Sequence, residues 1–210
     1  GLFTTYSGST VNYITRTNAN GTRDTGFNTG TGFNGFGYTA VTQSDGKYIV
    51  GGNFSTYSGS SANRGIARLN TDGTLDLTLN DGAGFNQLVS AVAMQSDGKI
   101  IAGGNFTTYS GSSINRIARL NSNGTLDTTF NVGTGIDTQV ATNGITVDAD
   151  GIIYCVGNFT AYSGSAVQGI VAINPNGTIN QTFYSGLTAS FNGTGRGFTI
   201  NETAYRLIPA

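Results

Sequence analysis

Short apolar runs alternate with turn signals along the whole chain, and no stretch sustains the 3.6-residue period of an amphipathic helix. The pattern is clearest in the middle. An apolar run over 89–95 ends at Ser96-Asp97-Gly98, and a second run, 99–106, follows at once. The loop Thr108-Tyr109-Ser110-Gly111-Ser112-Ser113 leads to a third run, 115–121, which Asn123-Gly124 turns into a fourth, 125–131. Asp-Gly and Asn-Gly are hairpin signals because both residue types tolerate the positive φ of tight turns. These elements predict a four-stranded meander.

The segment Gly104-Asn105-Phe106-Thr107-Thr108-Tyr109-Ser110-Gly111-Ser112 recurs with small changes from Gly1, Gly52 and Gly157, at spacings of 51, 52 and 53 residues. This predicts one domain, 1–210, of four repeats: 1–51, 52–103, 104–156 and 157–210. A lone meander cannot cover both of its faces, so units of this kind stack on one another about an axis. The expected fold is therefore an all-β β-propeller of four-stranded blades. The chain starts at the end of a second strand and finishes, over 197–210, with a first and a second strand. Segments 197–201 and 205–210 complement outer strands at 12–18 and 22–28, which predicts four blades closed by pairing of N- and C-terminal strands. The alternative is that the four units form part of a larger propeller or repeat array.

Composition agrees with an all-β chain. Glycine supplies 33 of the 210 residues, about twice the usual share, and charged residues only 10%. Helix formers are scarce: Glu202 is the sole glutamate, and Lys47 and Lys99 are the sole lysines. Apolar residues make up 37%, enough for a core. A net charge of −1 with scattered basic residues excludes a phosphate-binding surface, so nucleic acid is not an expected partner. No stretch approaches the ~18 consecutive apolar residues of a membrane helix, and membrane insertion is not expected. Cys155 is alone in an apolar setting, as a buried inert thiol would be.

The units Ser-Asp-Gly-Lys-Ile-Ile-Ala-Gly-Gly-Asn-Phe (96–106), Asn-Arg-Ile-Ala-Arg-Leu-Asn (115–121) and Asn-Gly-Thr-Leu-Asp-Thr-Thr-Phe-Asn (123–131) resemble the delta-60 propeller repeats. The resemblance is looser in the fourth unit, where Val167-Gln168-Gly169-Ile170-Val171-Ala172-Ile173-Asn174 lacks both arginines. It implies a propeller in a secreted or surface protein of bacteria or in a phage structural protein, and it carries no catalytic residues.

Three sets of recurring residues are candidates for a role. Arg16, Arg68 and Arg119 each precede an aspartate, Asp24, Asp76 and Asp127, by eight residues across a hairpin turn, and in the fourth unit both change together, to Ala172 and Asn180. The joint loss predicts a cross-strand ion pair clipping the two outer strands, worth about 0.2–1 kcal/mol if exposed. Tyr6, Tyr57, Tyr109 and Tyr162 recur in Tyr-Ser-Gly loops. The linkers expected on the same face carry Asn34, Asn86 and Asn192. Together they form a candidate ligand-binding face of the residue types that stack on sugar rings and bond hydroxyls; for each tyrosine taken singly the favoured reading is packing on the neighbouring blade with its hydroxyl on a loop backbone group, and the face as a whole is the candidate contact surface.

Catalytic chemistry has little footing. The chain has no histidine, which removes Ser-His-Asp and Cys-His catalysis and histidine-ligated zinc. Asp148-Ala149-Asp150-Gly151 lacks the bidentate acid of a calcium loop and reads as a turn. Gly30-Thr31-Gly32-Phe33-Asn34-Gly35 matches Gly-x-Gly-x-x-Gly but opens no helix. No metal or cofactor is expected. The acids outside repeat positions, Asp81, Asp137 and Glu202, are the only footing for the alternative reading, a glycan-active, glycoside hydrolase-like propeller. The preferred expectation is a non-catalytic structural or recognition module, extracellular, on a cell surface or on a virion, whose partners are a surface glycan or other subunits of an assembly.

Overall fold

The computed structural model describes residues 1–60, 64–79, 82–167, 169–185, 199–200 and 205–206. Among the described residues the fold is all-β apart from one five-residue helix, Gln181–Ser185. Three antiparallel sheets repeat one plan, with the second strand central. They comprise Phe36–Thr42, Tyr48–Asn53 and Ile66–Leu69; Val89–Met94, Ile100–Gly104 and Ile117–Leu120; and Val140–Val147, Ile153–Gly157 and Ile170–Ile173. The expected fourth strand shrinks to single bridges, Leu69↔Leu75, Leu120↔Leu126 and Ile173↔Ile179. Its truncation has a local cause. Asp127 Oδ1 accepts hydrogen bonds from the Thr129 backbone N–H (3.0 Å) and hydroxyl (2.6 Å), a side-chain turn that competes with the ladder. Asp76 and Thr78 do the same one repeat earlier. In the fourth unit Asn180 instead caps the helix, accepting the Phe183 N–H at 3.2 Å.

Thr199–Ile200 pairs with Tyr205–Arg206 as a hairpin. Residues 186–198, 201–204 and 207–210, on which the expected pairing of the chain's two ends depends, lie outside the described residues.

The innermost strands converge. Val89–Met94 packs against both Phe36–Thr42 and Val140–Val147, and these two also touch each other, as strands around a common axis must. The core accordingly lies between sheets. One apolar cluster joins Ile49 and Ile66 of the first sheet to Val89, Val92, Ile100 and Phe106 of the second, and another joins Ile101 and Ile117 to Val140, Ile145, Cys155 and Val171. Close approach requires glycine on the second strand. A Cβ at Gly51 would lie 2.8 Å from Val89 Cγ1, and one at Gly103 2.5 Å from Ile145 Cδ1. Ser90 sits at a bulge in the inner strand, between pairs Val89↔Gly104 and Ala91↔Gly103, and its hydroxyl donates to Val140 O of the next sheet at 2.7 Å.

At the periphery the arginine–aspartate pairs differ from the expected exposed clip. Arg68 Nε meets Asp76 Oδ2 at 2.7 Å and Arg119 Nε meets Asp127 Oδ2 at 2.8 Å, but each aspartate is only 6% exposed. Each also receives a lysine from the preceding hairpin, Lys47 at 2.7 Å and Lys99 at 2.8 Å. The guanidinium does more than join two strands. Its Nη1 crosses to a turn carbonyl of the following unit, Arg68 to Ser122 O at 2.7 Å and Arg119 to Pro175 O. The pairs are therefore inter-unit clasps, made buried by the next unit closing over them. Arg16 repeats the arrangement in a more open setting, with Asp24 Oδ2 at 2.8 Å and Thr71 O at 2.6 Å. Arg16 and Arg119 also lie over the rings of Phe27 and Phe130, at 4.6 and 4.5 Å.

Burial pushes the Asp76 and Asp127 carboxyls up. Lys47 or Lys99, the Thr78 or Thr129 hydroxyl and N–H, and the arginine outweigh it, and both are held far below the usual carboxylate range. A carboxyl depressed in the folded state contributes stability that is fully present above its unfolded value, ~4, and is lost as pH falls towards the folded one. Denaturant melts at a series of pH values are expected to show stability level above about pH 5 and declining below pH 4. Asp127→Asn, which leaves Arg119 without its counterion, is expected to lower stability by about 3–5 kcal/mol at neutral pH and to shallow that acid decline.

Candidate functional site

The linkers and the Tyr-Ser-Gly loops meet on one face. Each loop is a tight hairpin whose two central residues both have positive φ, Ser58 (49°) with Gly59 (76°), Ser110 (47°) with Gly111 (84°), and Ser163 (50°) with Gly164 (79°). This is the type I′ geometry that matches strand twist. The tyrosine ahead of the turn bridges the incoming linker, in the pairs Phe33↔Tyr57, Phe85↔Tyr109 and Ile136↔Tyr162.

The tyrosines are spent on the fold. Tyr57, Tyr109 and Tyr162 are fully buried, and their hydroxyls donate to Gly73 O (2.5 Å), Gly124 O and Gly177 O (2.5 Å) in the outer turn of the same unit. Tyr6 does likewise with Gly21 O and is half-buried. The tyrosines take the packed arrangement rather than standing out for a sugar: Tyr57 lies on Phe33 and Tyr109 on Phe85, whose rings lie in turn on Phe54 and Phe106, because a buried phenol must keep a partner for its hydroxyl. Burial raises the Tyr162 phenol far above its ordinary value.

Asn34 and Asn86 are exposed but also committed. Asn34 Oδ1 accepts the Ser55 and Thr56 N–H groups at 2.8 and 3.0 Å while its Nδ2 donates to Ser55 Oγ; Asn86 makes the same three bonds to Thr107 and Thr108. Asp137 occupies this position in the next unit, accepting the Thr160 N–H at 3.0 Å and hydroxyl at 2.6 Å. It is thus a repeat-position residue and not an odd acid. Burial raises its carboxyl, but the Thr160 hydroxyl and the Ala161 and Thr160 amides outweigh that and hold it low, the reverse of the shift a general acid needs. Asn192, Asp81 and Glu202 lie outside the described residues. Asp148 is absorbed in its own turn, accepting the Asp150 and Ile152 N–H groups at 2.9 and 2.8 Å. The buried Cys155 thiol is pushed up by desolvation, as an inert thiol is.

What the face does hold is a cleft of about 250 Å³ between the first and second sheets, lined by Asn34, Asn53, Ser55, Arg64, Asn86 and Gln87 around Gly65, with Phe54 and Phe85 at its base. It opens at a position where the units differ. The chain at Gly65 turns with φ 79°, its N–H bonding Phe54 O and its carbonyl accepting from Gly52; Arg116, with φ 64°, makes the same bonds to Phe106 and Gly104. Arg116 is thus the structural counterpart of Gly65, and its guanidinium reaches Ile136 O at 3.1 Å, across the position corresponding to the cleft. Tyr13 (φ 70°) holds the corresponding place in the first unit, its ring against Phe36. Gly169 (φ 75°) holds this place in the fourth unit with the same bonds to Phe159 and Gly157, so two of the four positions lack a side chain, and the cleft described lies at Gly65.

Arg64, Gly65 and Gln87 were not singled out by repeat reasoning, which looks for what recurs. The legible signal was an irregularity, the extra glycine in Asn63-Arg64-Gly65-Ile66 against Asn115-Arg116-Ile117.

Tyr109→Phe leaves the Gly124 carbonyl without its partner and is expected to cost about 1–3 kcal/mol in denaturant melts. Asp137→Asn, by contrast, installs the amide that Asn34 and Asn86 already use in this role and is expected to change stability by no more than about 0.5 kcal/mol.

A family model described as "Domain of unknown function (DUF5122) beta-propeller" matches residues 1–27, 43–79, 95–130 and 149–183. Each match runs through one outer-strand turn and ends at the same structural position, Phe27, Leu79, Phe130 or Phe183, three residues after the clasp aspartate or its Asn180 replacement. No curated protein matches the chain significantly. Four matches in phase with the sheets, covering more than half of the chain, establish that it belongs to the DUF5122 beta-propeller family.

Proposed function

We propose that this domain is a non-catalytic recognition module of an extracellular protein or phage virion appendage, a propeller of delta-60-type units that contacts a surface glycan through its linker face. The cleft at Gly65 carries the proposal. It is small beside the ~300–1,000 Å³ of typical ligand pockets, the scale of a compact ring and not of an extended segment. Its rim offers amide and hydroxyl groups, Asn53, Ser55 and Gln87, which pair with sugar hydroxyls as donor or acceptor. The neighbouring-subunit reading rests on the same face but has no feature that calls for a second protein.

A glycan array probed with the full chain is expected to give binding to a defined set of sugars. Gly65→Arg, which places in the cleft the residue that the next unit carries at this position, is expected to abolish it without release of reducing ends by either protein. Retained binding in Gly65→Arg would move the site off the cleft, and release of reducing ends by the unmodified chain would replace recognition by hydrolysis.

A further inference from the structure

We propose that Arg64 makes this cleft selective for sugars that bear a carboxylate; the inference rests on the cleft being the binding site and names the ligand class it takes.

Structural correspondence around the linkers defines the position. The Arg64 carbonyl accepts the Phe85 N–H at 2.8 Å, as Asn12 O accepts that of Phe33 and Asn115 O that of Ile136. At two of these three equivalent positions the residue is asparagine and its side chain is used internally. Asn12 Nδ2 donates to Thr31 O at 2.6 Å and Asn115 Nδ2 to Thr134 O at 2.9 Å, each holding its linker in place. Arg64 gives up that bond. Its side chain is exposed and lines the cleft, and among the described residues no hydrogen bond or ion pair engages its guanidinium. Most of the other described cations are engaged: Arg16, Lys47, Arg68, Lys99 and Arg119 are bound to carboxylates and Arg116 to a backbone carbonyl, while Arg23, which like Arg64 has no side-chain partner among the described residues, does not line the cleft.

A repeat protein that replaces a structural asparagine with an unengaged arginine, beside a glycine that opens the space next to it, has built a positive charge into a cavity. None of the lining residues is acidic. The guanidinium offers a planar fork of N–H donors that matches a carboxylate in two parallel bonds. The amides of Asn53 and Gln87 remain for ring hydroxyls. A hydroxylated ring with one carboxylate, as in a uronic acid, satisfies both sets of groups at once, and a neutral hexose leaves the guanidinium to water.

The test uses the full chain and pairs of oligosaccharides that differ only in oxidation of carbon 6, such as galactose and galacturonate oligomers, within a wider array of neutral and carboxylated sugars. The expected result is at least tenfold tighter binding of carboxylated members, weakening as salt is raised. Arg64→Gln is expected to erase that preference, and Arg64→Lys to restore it in part, as a charge without the fork. Because the side chain is exposed and unengaged, both variants are expected to melt with the unmodified protein, which separates loss of binding from loss of fold. Binding that Gly65→Arg blocks but that is indifferent to the carboxylate, or that keeps its preference in Arg64→Gln, overturns the inference and leaves the cleft as the site. Binding of no member of the array overturns the recognition reading, and this inference with it.

Discussion

Each of the first three units of this molecule is held to the next by a guanidinium that serves two masters: its Nε is fixed by an aspartate of its own unit, and its Nη1 is given to a turn carbonyl of the following one. A four-stranded meander has no core of its own, so everything depends on how firmly sheets stack. Apolar packing between sheets supplies the bulk of that force but little direction, whereas a buried ion pair with fixed geometry sets where one sheet sits on its neighbour. The aspartate is what makes the arrangement tolerable. Two cations and the Thr78 or Thr129 donors converge on it, so that burying it leaves no charge uncompensated. The same aspartate ends the fourth strand by turning the chain at the threonine. Clasp and strand truncation are one device.

The fourth unit lacks this device and is shaped differently for it. Ala172 has no reach and Asn180 no charge; the chain there winds into Gln181–Ser185, capped by the asparagine. The inner strands are joined differently, through small residues. Gly51 and Gly103 admit the valine and isoleucine side chains of the next inner strand, and Ser90 bonds across to it. Polar fixing at the rim and close apolar contact near the axis together set both the spacing and the rotation of successive sheets.

On the linker face, the recurring residues turn out to be the structural ones. Tyrosine, asparagine and threonine repeat because each unit needs its hairpin tied to its linker and its outer turn. What distinguishes one unit from another is where the pattern varies: glycine at 65, as at 169, where Arg116 and Tyr13 have side chains, and arginine at 64 where Asn12 and Asn115 brace the linker. In a repeat fold the periodic residues answer to stacking, which is the same at every junction. A ligand breaks the symmetry, and the residues that answer to it are irregular.

Much of the fold was legible in the order of residues alone. The spacing of Gly-Asn-Phe segments, the Asp-Gly and Asn-Gly turns and the lack of helix formers determine an all-β repeat of short antiparallel strands, because short apolar runs and positive-φ turns are local properties written in adjacent residues. The eight-residue spacing of arginine and aspartate, with their joint loss in the fourth unit, was enough to pair them. Tertiary structure alone decided that the pair is buried and reaches Ser122 or Pro175, since the third partner lies 54 or 56 residues away and is a backbone carbonyl, which no side-chain pattern marks. It likewise decided that the tyrosines face inward and that the cleft lies at Gly65. A side chain's exposure depends on what the neighbouring sheet places over it, and that contact is made between units rather than within one.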